Sequence, residues 1–98
     1  MRSLYKFYWD CGRMGVVDGI FVADEEEVKD AIGKEVYFGE ILGKHSEVFG
    51  TLKEHDLTIV SQDIKNIEWL LTIFGAFDTI SGYNPLEYIS EDEDEDWG

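Results

Sequence analysis

Apolar and polar residues alternate along the first segment of the chain. Tyr5, Phe7, Trp9 and Cys11 share one face, and Leu4, Lys6, Tyr8 and Asp10 the other. A period of two marks a half-buried strand, because successive side chains of an extended backbone point to opposite faces. Gly12-Arg13-Met14-Gly15 breaks the alternation with a glycine at each end, which predicts a hairpin-type connection. Residues 16–23, rich in β-branched and aromatic side chains, predict a second strand. Gly19 in its middle predicts a bulge or a close backbone approach.

The period then lengthens. Asp24 followed by Glu27 is a capping-box pattern with Asp in place of Ser or Thr, and Glu25 and Glu26 add negative charge to the first helical turn. Val28, Ala31 and Ile32 form a short apolar stripe that Gly33 ends. The acidic cluster at 24–27 thus has a structural explanation. Residues 35–42 predict a third strand with Gly39 as a second bulge, 47–52 a fourth and 57–60 a fifth, separated by polar turns at 43–46 and 53–56. Ser61 is the expected N-cap of a second helix, with Asp63 in its first turn. Ile64, Ile67, Leu71 and Phe74 form its stripe, Leu70 and Ile73 lie beside it, and Gly75 is its stop.

The order β-β-α-β-β-β-α predicts an α+β fold: a mostly antiparallel sheet of about five strands with two helices on one face. Residues 79–89 hold the only proline, Pro85, and are expected to pack back on the body through Tyr83, Leu86, Tyr88 and Ile89. Residues 1–90 form a single domain in this reading, and 91–98 an acidic tail that is disordered alone.

Charge narrows the function. Eight basic residues stand against 22 acids, a net −14 at neutral pH. Six of those acids lie at 91–96, so the body through Ser90 keeps sixteen acids against all eight bases and carries −8. Direct contact with nucleic acid or an anionic membrane is disfavoured, and a basic partner protein is favoured. The N-terminal residues carry no apolar run of signal-peptide length, and no stretch approaches the ~20 apolar residues of a membrane span. One cysteine allows no internal disulfide. A cytoplasmic protein is the expectation. Aromatic residues make up 14% of the chain, generous for a core of this size, which leaves some for a partner surface or a homodimer interface.

Few residues carry candidate chemistry. The segment 39–46 has two glycines before Lys44, as a phosphate loop does, but three residues separate them instead of four, and His45 replaces the Ser or Thr. Cys11 and His45 are the one thiol–imidazole pairing of interest, and nothing in the sequence brings them together. Neither His45 nor His55 has a spacing that enforces a metal site. No catalytic residue, metal or cofactor is therefore expected. Arg13 at the hairpin tip either pairs with Asp10 or Asp18 or, with Lys44 and His45 and with Trp9 or Tyr8 to stack, forms a site for a nucleotide-like molecule.

In the tail, Glu91, Asp92, Glu93, Asp94, Glu95 and Asp96 precede Trp97. Alternate side chains of an extended chain lie roughly 6.6–7 Å apart. That is of the order of the spacing of neighbouring phosphates, so such a run can occupy a groove built for nucleic acid, with Trp97 as a stacking anchor. The same run also serves solubility.

The stretch 36–51, with YFGEILGKHSEVFGT at its heart, resembles an uncharacterised phage or bacterial family. By size, charge and layout the chain resembles the small acidic proteins that phages and other mobile elements carry against bacterial defence systems. The resemblance implies a stoichiometric inhibitor that mimics nucleic acid toward a basic protein, or one that acts as a sponge for a nucleotide signal.

Overall fold

The computed structural model describes residues 2–90. Strands β1 (Arg2–Asp10) and β2 (Val16–Asp24) pair antiparallel over nine residues each, from Arg2 opposite Asp24 to Asp10 opposite Val16. The connection is one 3₁₀ turn, Gly12–Met14, closed by the Cys11 N–H donating to the Gly15 carbonyl at 2.8 Å. The Asp10 carboxylate accepts the Gly12 N–H at 2.9 Å.

Asp24 ends β2 and also caps helix α1 (Glu25–Ala31), and the Glu27 carboxylate reaches back to the Asp24 N–H at 3.2 Å. Val28 and Ala31 are its buried residues. A small second sheet follows, made of β3 (Glu35–Gly39) and β4 (Val48–Thr51). Both are shorter than the alternation predicts, because Gly39 turns left-handed at φ 83° and shifts the register at the strand end. Residues 40–47 are therefore a loop. A 3₁₀ turn at Glu54–Asp56 leads to β5 (Leu57–Ser61), which pairs with β1 on the side away from β2.

Helix α2 spans Ile64–Phe74 and ends at left-handed Gly75. Its N-cap is Asp63, not Ser61: the Asp63 carboxylate accepts the Lys65 N–H at 2.9 Å. Ser61 closes β5, and its hydroxyl accepts the Asp63 N–H at 3.1 Å. A sixth strand, β6 (Thr79–Gly82), pairs with β2 and completes a four-stranded sheet in the order β5-β1-β2-β6. Its four residues, Thr-Ile-Ser-Gly, are too few for a period of two to stand out. The chain then turns through Pro85–Tyr88 and crosses to the small sheet, where Ile89 bridges Val36 and the Ser90 N–H donates to the Glu35 carbonyl at 2.9 Å.

The fold is α+β with antiparallel pairing throughout and the predicted order of elements. One finer point of the layout is corrected. The helices cover opposite faces of the main sheet instead of one face. Tyr5, Phe7, Val17, Phe21 and Ala23 pack with α1 and with the small sheet, whereas Leu4 and Val22 pack with Ile67 of α2. Leu4 and Tyr5 are adjacent, point to opposite faces and are each 4% exposed, so both faces need a cover. The larger core is strongly aromatic: Phe38 meets the rings of Phe7, Trp9, Tyr83 and Tyr88 with centroids 4.7–5.8 Å apart.

Candidate functional site

The body displays its carboxylates. Of the acids among the described residues, Asp24, Glu25 and Asp56 are partly covered and all others are exposed. Arg2 and Asp78, 3.1 Å apart, are the one lysine or arginine pairing with a carboxylate among the described residues. Those two line a shallow cleft with Asp24, Glu26 and Glu27, where the end of β2 turns into α1. The tail residues Glu91, Asp92, Glu93, Asp94, Glu95, Asp96 and Trp97 lie outside the described residues.

An open cleft of about 480 Å³ lies at the opposite end of β1. Trp9 and Phe49 supply aromatic walls, and the charged or titratable residues of the lining are Asp10, Glu47, Lys53, His55 and Asp56. Trp9 is oriented from both sides. Its ring stands edge-on to Phe7 and Phe38, and its Nε1–H donates to Asp56 Oδ2 at 2.8 Å. The same Asp56 oxygen accepts the Lys53 N–H at 2.9 Å, and Oδ1 lies 3.5 Å from His55 Nε2. Asp56 therefore ties the turn before β5 to the end of β1. Asp56→Ala leaves the indole N–H and the Lys53 N–H without this acceptor, which is expected to cost about 1–3 kcal/mol. Urea denaturation followed by tryptophan fluorescence measures it.

Of the residues singled out for a small anion, Trp9 lines this cleft and a neighbouring one, while Arg13, Lys44 and His45 line neither. Those three are exposed on the hairpin tip and in the 40–47 loop. The two segments approach through a Leu42 side chain near Gly15. Arg13 forms no ion pair with Asp10 or Asp18 among the described residues, and the Asp10 carboxylate accepts the Gly12 N–H. His45 adopts a left-handed φ of 68°, and β4, not a helix, follows the loop, so the segment 39–46 has none of the geometry of a phosphate loop. The histidine that shares a cleft with Cys11 is His55. No signal within either segment announces this neighbourhood, because it depends on β5 pairing with β1 across some fifty residues.

Cys11 is half-buried against the larger core. Burial, aided by the Asp10 carboxylate, pushes its thiol pKa up. The reactive thiolate is therefore scarce at neutral pH, opposite to what a nucleophile needs. Labelling by a disulfide reagent at pH 7 is expected to run ~10-fold slower on the folded chain than on the urea-unfolded chain, and to accelerate as pH rises. Among the described residues no group of three or more His, Cys, Asp or Glu side chains could hold a metal ion, and no helix is long and apolar enough to cross a membrane.

The chain matches no protein-family model, no curated protein and no solved structure.

Proposed function

We propose that this protein is a non-enzymatic binding protein whose carboxylates occupy a basic, nucleic-acid-handling surface of a partner protein. The observation that carries this reading is the excess of exposed acid among the described residues: sixteen acids, thirteen of them exposed, face eight bases, and Arg2–Asp78 is the one close arginine–carboxylate pair. Like charges held on one rigid domain repel each other, and a partner rich in lysine and arginine relieves that repulsion on binding. The acids at 91–96 extend the same charge beyond the domain.

The Trp9 cleft suits the same class of partner. Its aromatic walls and its carboxylates Asp10 and Glu47 fit the stem and the cationic head of a lysine or arginine side chain. Taken with the resemblance in size, charge and layout, the reading is a stoichiometric inhibitor of phage counter-defence type that works inside the bacterial cell. Sequestration of a nucleotide needs Arg13, Lys44 and His45 in one pocket, and none of the three lines the Trp9 cleft. Calorimetry with nucleoside mono-, di- and triphosphates separates the two readings: heats of binding that vanish in Arg13→Ala favour the sponge, and their absence favours the partner protein.

A further inference from the structure

The second helix is more apolar than its place in the fold uses. At 100° per residue, Ile64, Ile67, Leu70, Leu71 and Phe74 form one arc of α2, and Trp69 and Ile73, one turn apart, carry it round the side. Lys65, Glu68 and Thr72 hold the remaining sector, and the exposed Asn66 stands between Ile73 and Leu70. The sheet covers a fraction of this arc: Ile67 is buried at 2%, and Leu70 and Leu71 are packed against the smaller core. Ile64, Trp69, Ile73 and Phe74 remain 52–63% exposed, with Val60 just before the helix at 53% and Phe77 just after it at 91%.

We infer that the α2 face is the interface of a homodimer, with the same face of a second copy as its occupant. Two observations select that occupant. The first is area. Taking roughly 150–250 Å² for each large apolar side chain, an aromatic range that is generous for Val and Ile, these six at their observed exposures offer on the order of 550–900 Å². A stable two-fold interface needs about 800 Å² per partner, and monomers rarely leave so large an apolar patch open. The second is charge. All six residues are uncharged, with the exposed Asp63, Glu68 and Asp78 at their border, so two acidic copies bring apolar side chains together here and keep these carboxylates to the rim. A two-fold axis across α2 sets each patch against itself and closes the assembly at two.

The salt dependence follows from this arrangement. Each copy carries −14, so the dimer forms against mutual repulsion that salt screens. Raising salt tightens the dimer, whereas it weakens a complex with a basic protein, and the two proposals can fail independently.

Sedimentation equilibrium of the full chain from about 1 to about 200 μM, at low and at high salt, tests the inference. The expected result is a mass of twice the 11.3 kDa chain, with association strengthened by salt. A double variant, Trp69→Glu with Phe74→Glu, is expected to weaken association ~100-fold or more. Where that variant lacks a cooperative melt, Trp69→Ser on the solvent side of the helix replaces it, with a weakening of about 10-fold expected. A monomer across the whole range overturns the inference, as do open-ended larger assemblies or a dimer that these substitutions leave untouched.

Discussion

Gly19→Val is expected to cost roughly 2–4 kcal/mol and to detach β6 and the segment after it, residues 79–90, from the sheet before the rest unfolds. Gly19 sits mid-strand in β2 opposite Gly82 of β6. A Cβ at Gly19 would collide with the backbone of Tyr83, and one at Gly82, which holds a left-handed φ of 70°, would collide with the Asp18 carbonyl. The two strands thus approach more closely than side chains permit, and the Tyr83 N–H donates to the Asp18 carbonyl at 3.0 Å. The obstruction is backbone, which has no rotamer to move aside, so β6 must shift away. Buried Asn84 and Pro85 and the rings of Tyr83 and Tyr88 follow β6, and the Phe38 cluster loses its cover. Hydrogen exchange should rise first at Ile20, Val22 and residues 79–90, with lesser change in the β1–β5 pairing. Unchanged stability in urea would show that β6 is not held by this close approach.

Neutralising the tail is expected to weaken binding to a basic partner by one to two orders of magnitude at low ionic strength. Changing Glu91, Glu93 and Glu95 to Gln, and Asp92, Asp94 and Asp96 to Asn, keeps the chain length and removes six charges. The screening length is about 8 Å at about 0.15 M salt and about 30 Å at about 0.01 M, so the attraction of the carboxylates for a basic surface reaches farthest at low ionic strength. The loss should fall mainly on the association rate, which long-range attraction governs, and it should shrink as salt rises. Neutralising the acids of the β2–α1 end with Glu26→Gln and Glu27→Gln tests the body separately. Glu27 also reaches back to the Asp24 N–H, a bond that the amide can retain, so the melt of that variant should stay close to the parent's. Surface plasmon resonance at two ionic strengths resolves rate from affinity. Equal binding by the parent and the amide tail at low salt would remove the tail from the recognition surface.

The strands and helices with local signatures were legible in the chain. Alternation from Tyr5 to Cys11, the glycine-flanked hairpin tip, Asp24 with Glu27, and the stops at Gly33 and Gly75 all act within a few residues. Gly19 too was readable as a bulge or a close backbone approach, though not which of the two, nor which segment approaches. What escaped depends on contacts distant in sequence. β6 becomes a strand because β2 offers a side-chain-free groove, and Thr-Ile-Ser-Gly alone carries no such information. The helices part to opposite faces because Leu4, Ile20 and Val22 make the second face of the hairpin apolar as well. Leu4 was visible on that face, but the helix that covers it lies sixty residues on. In the site, Trp9 was readable as an aromatic at a strand end. Its partner Asp56 reads locally as a polar turn residue, and β5 pairing brings the two together.

In the proposed function, the carboxylates of this protein take the place of a nucleic acid on a basic partner. The most direct test is capture of partners from bacterial lysate on the immobilised full chain, eluted first with short single- and double-stranded oligonucleotides and then with salt. The expected result is a DNA- or RNA-handling protein that the oligonucleotides displace competitively, that salt also releases, and that the amide-tailed variant retains poorly. A specific partner that neither oligonucleotides nor salt displace, held equally by the variant, would contradict it.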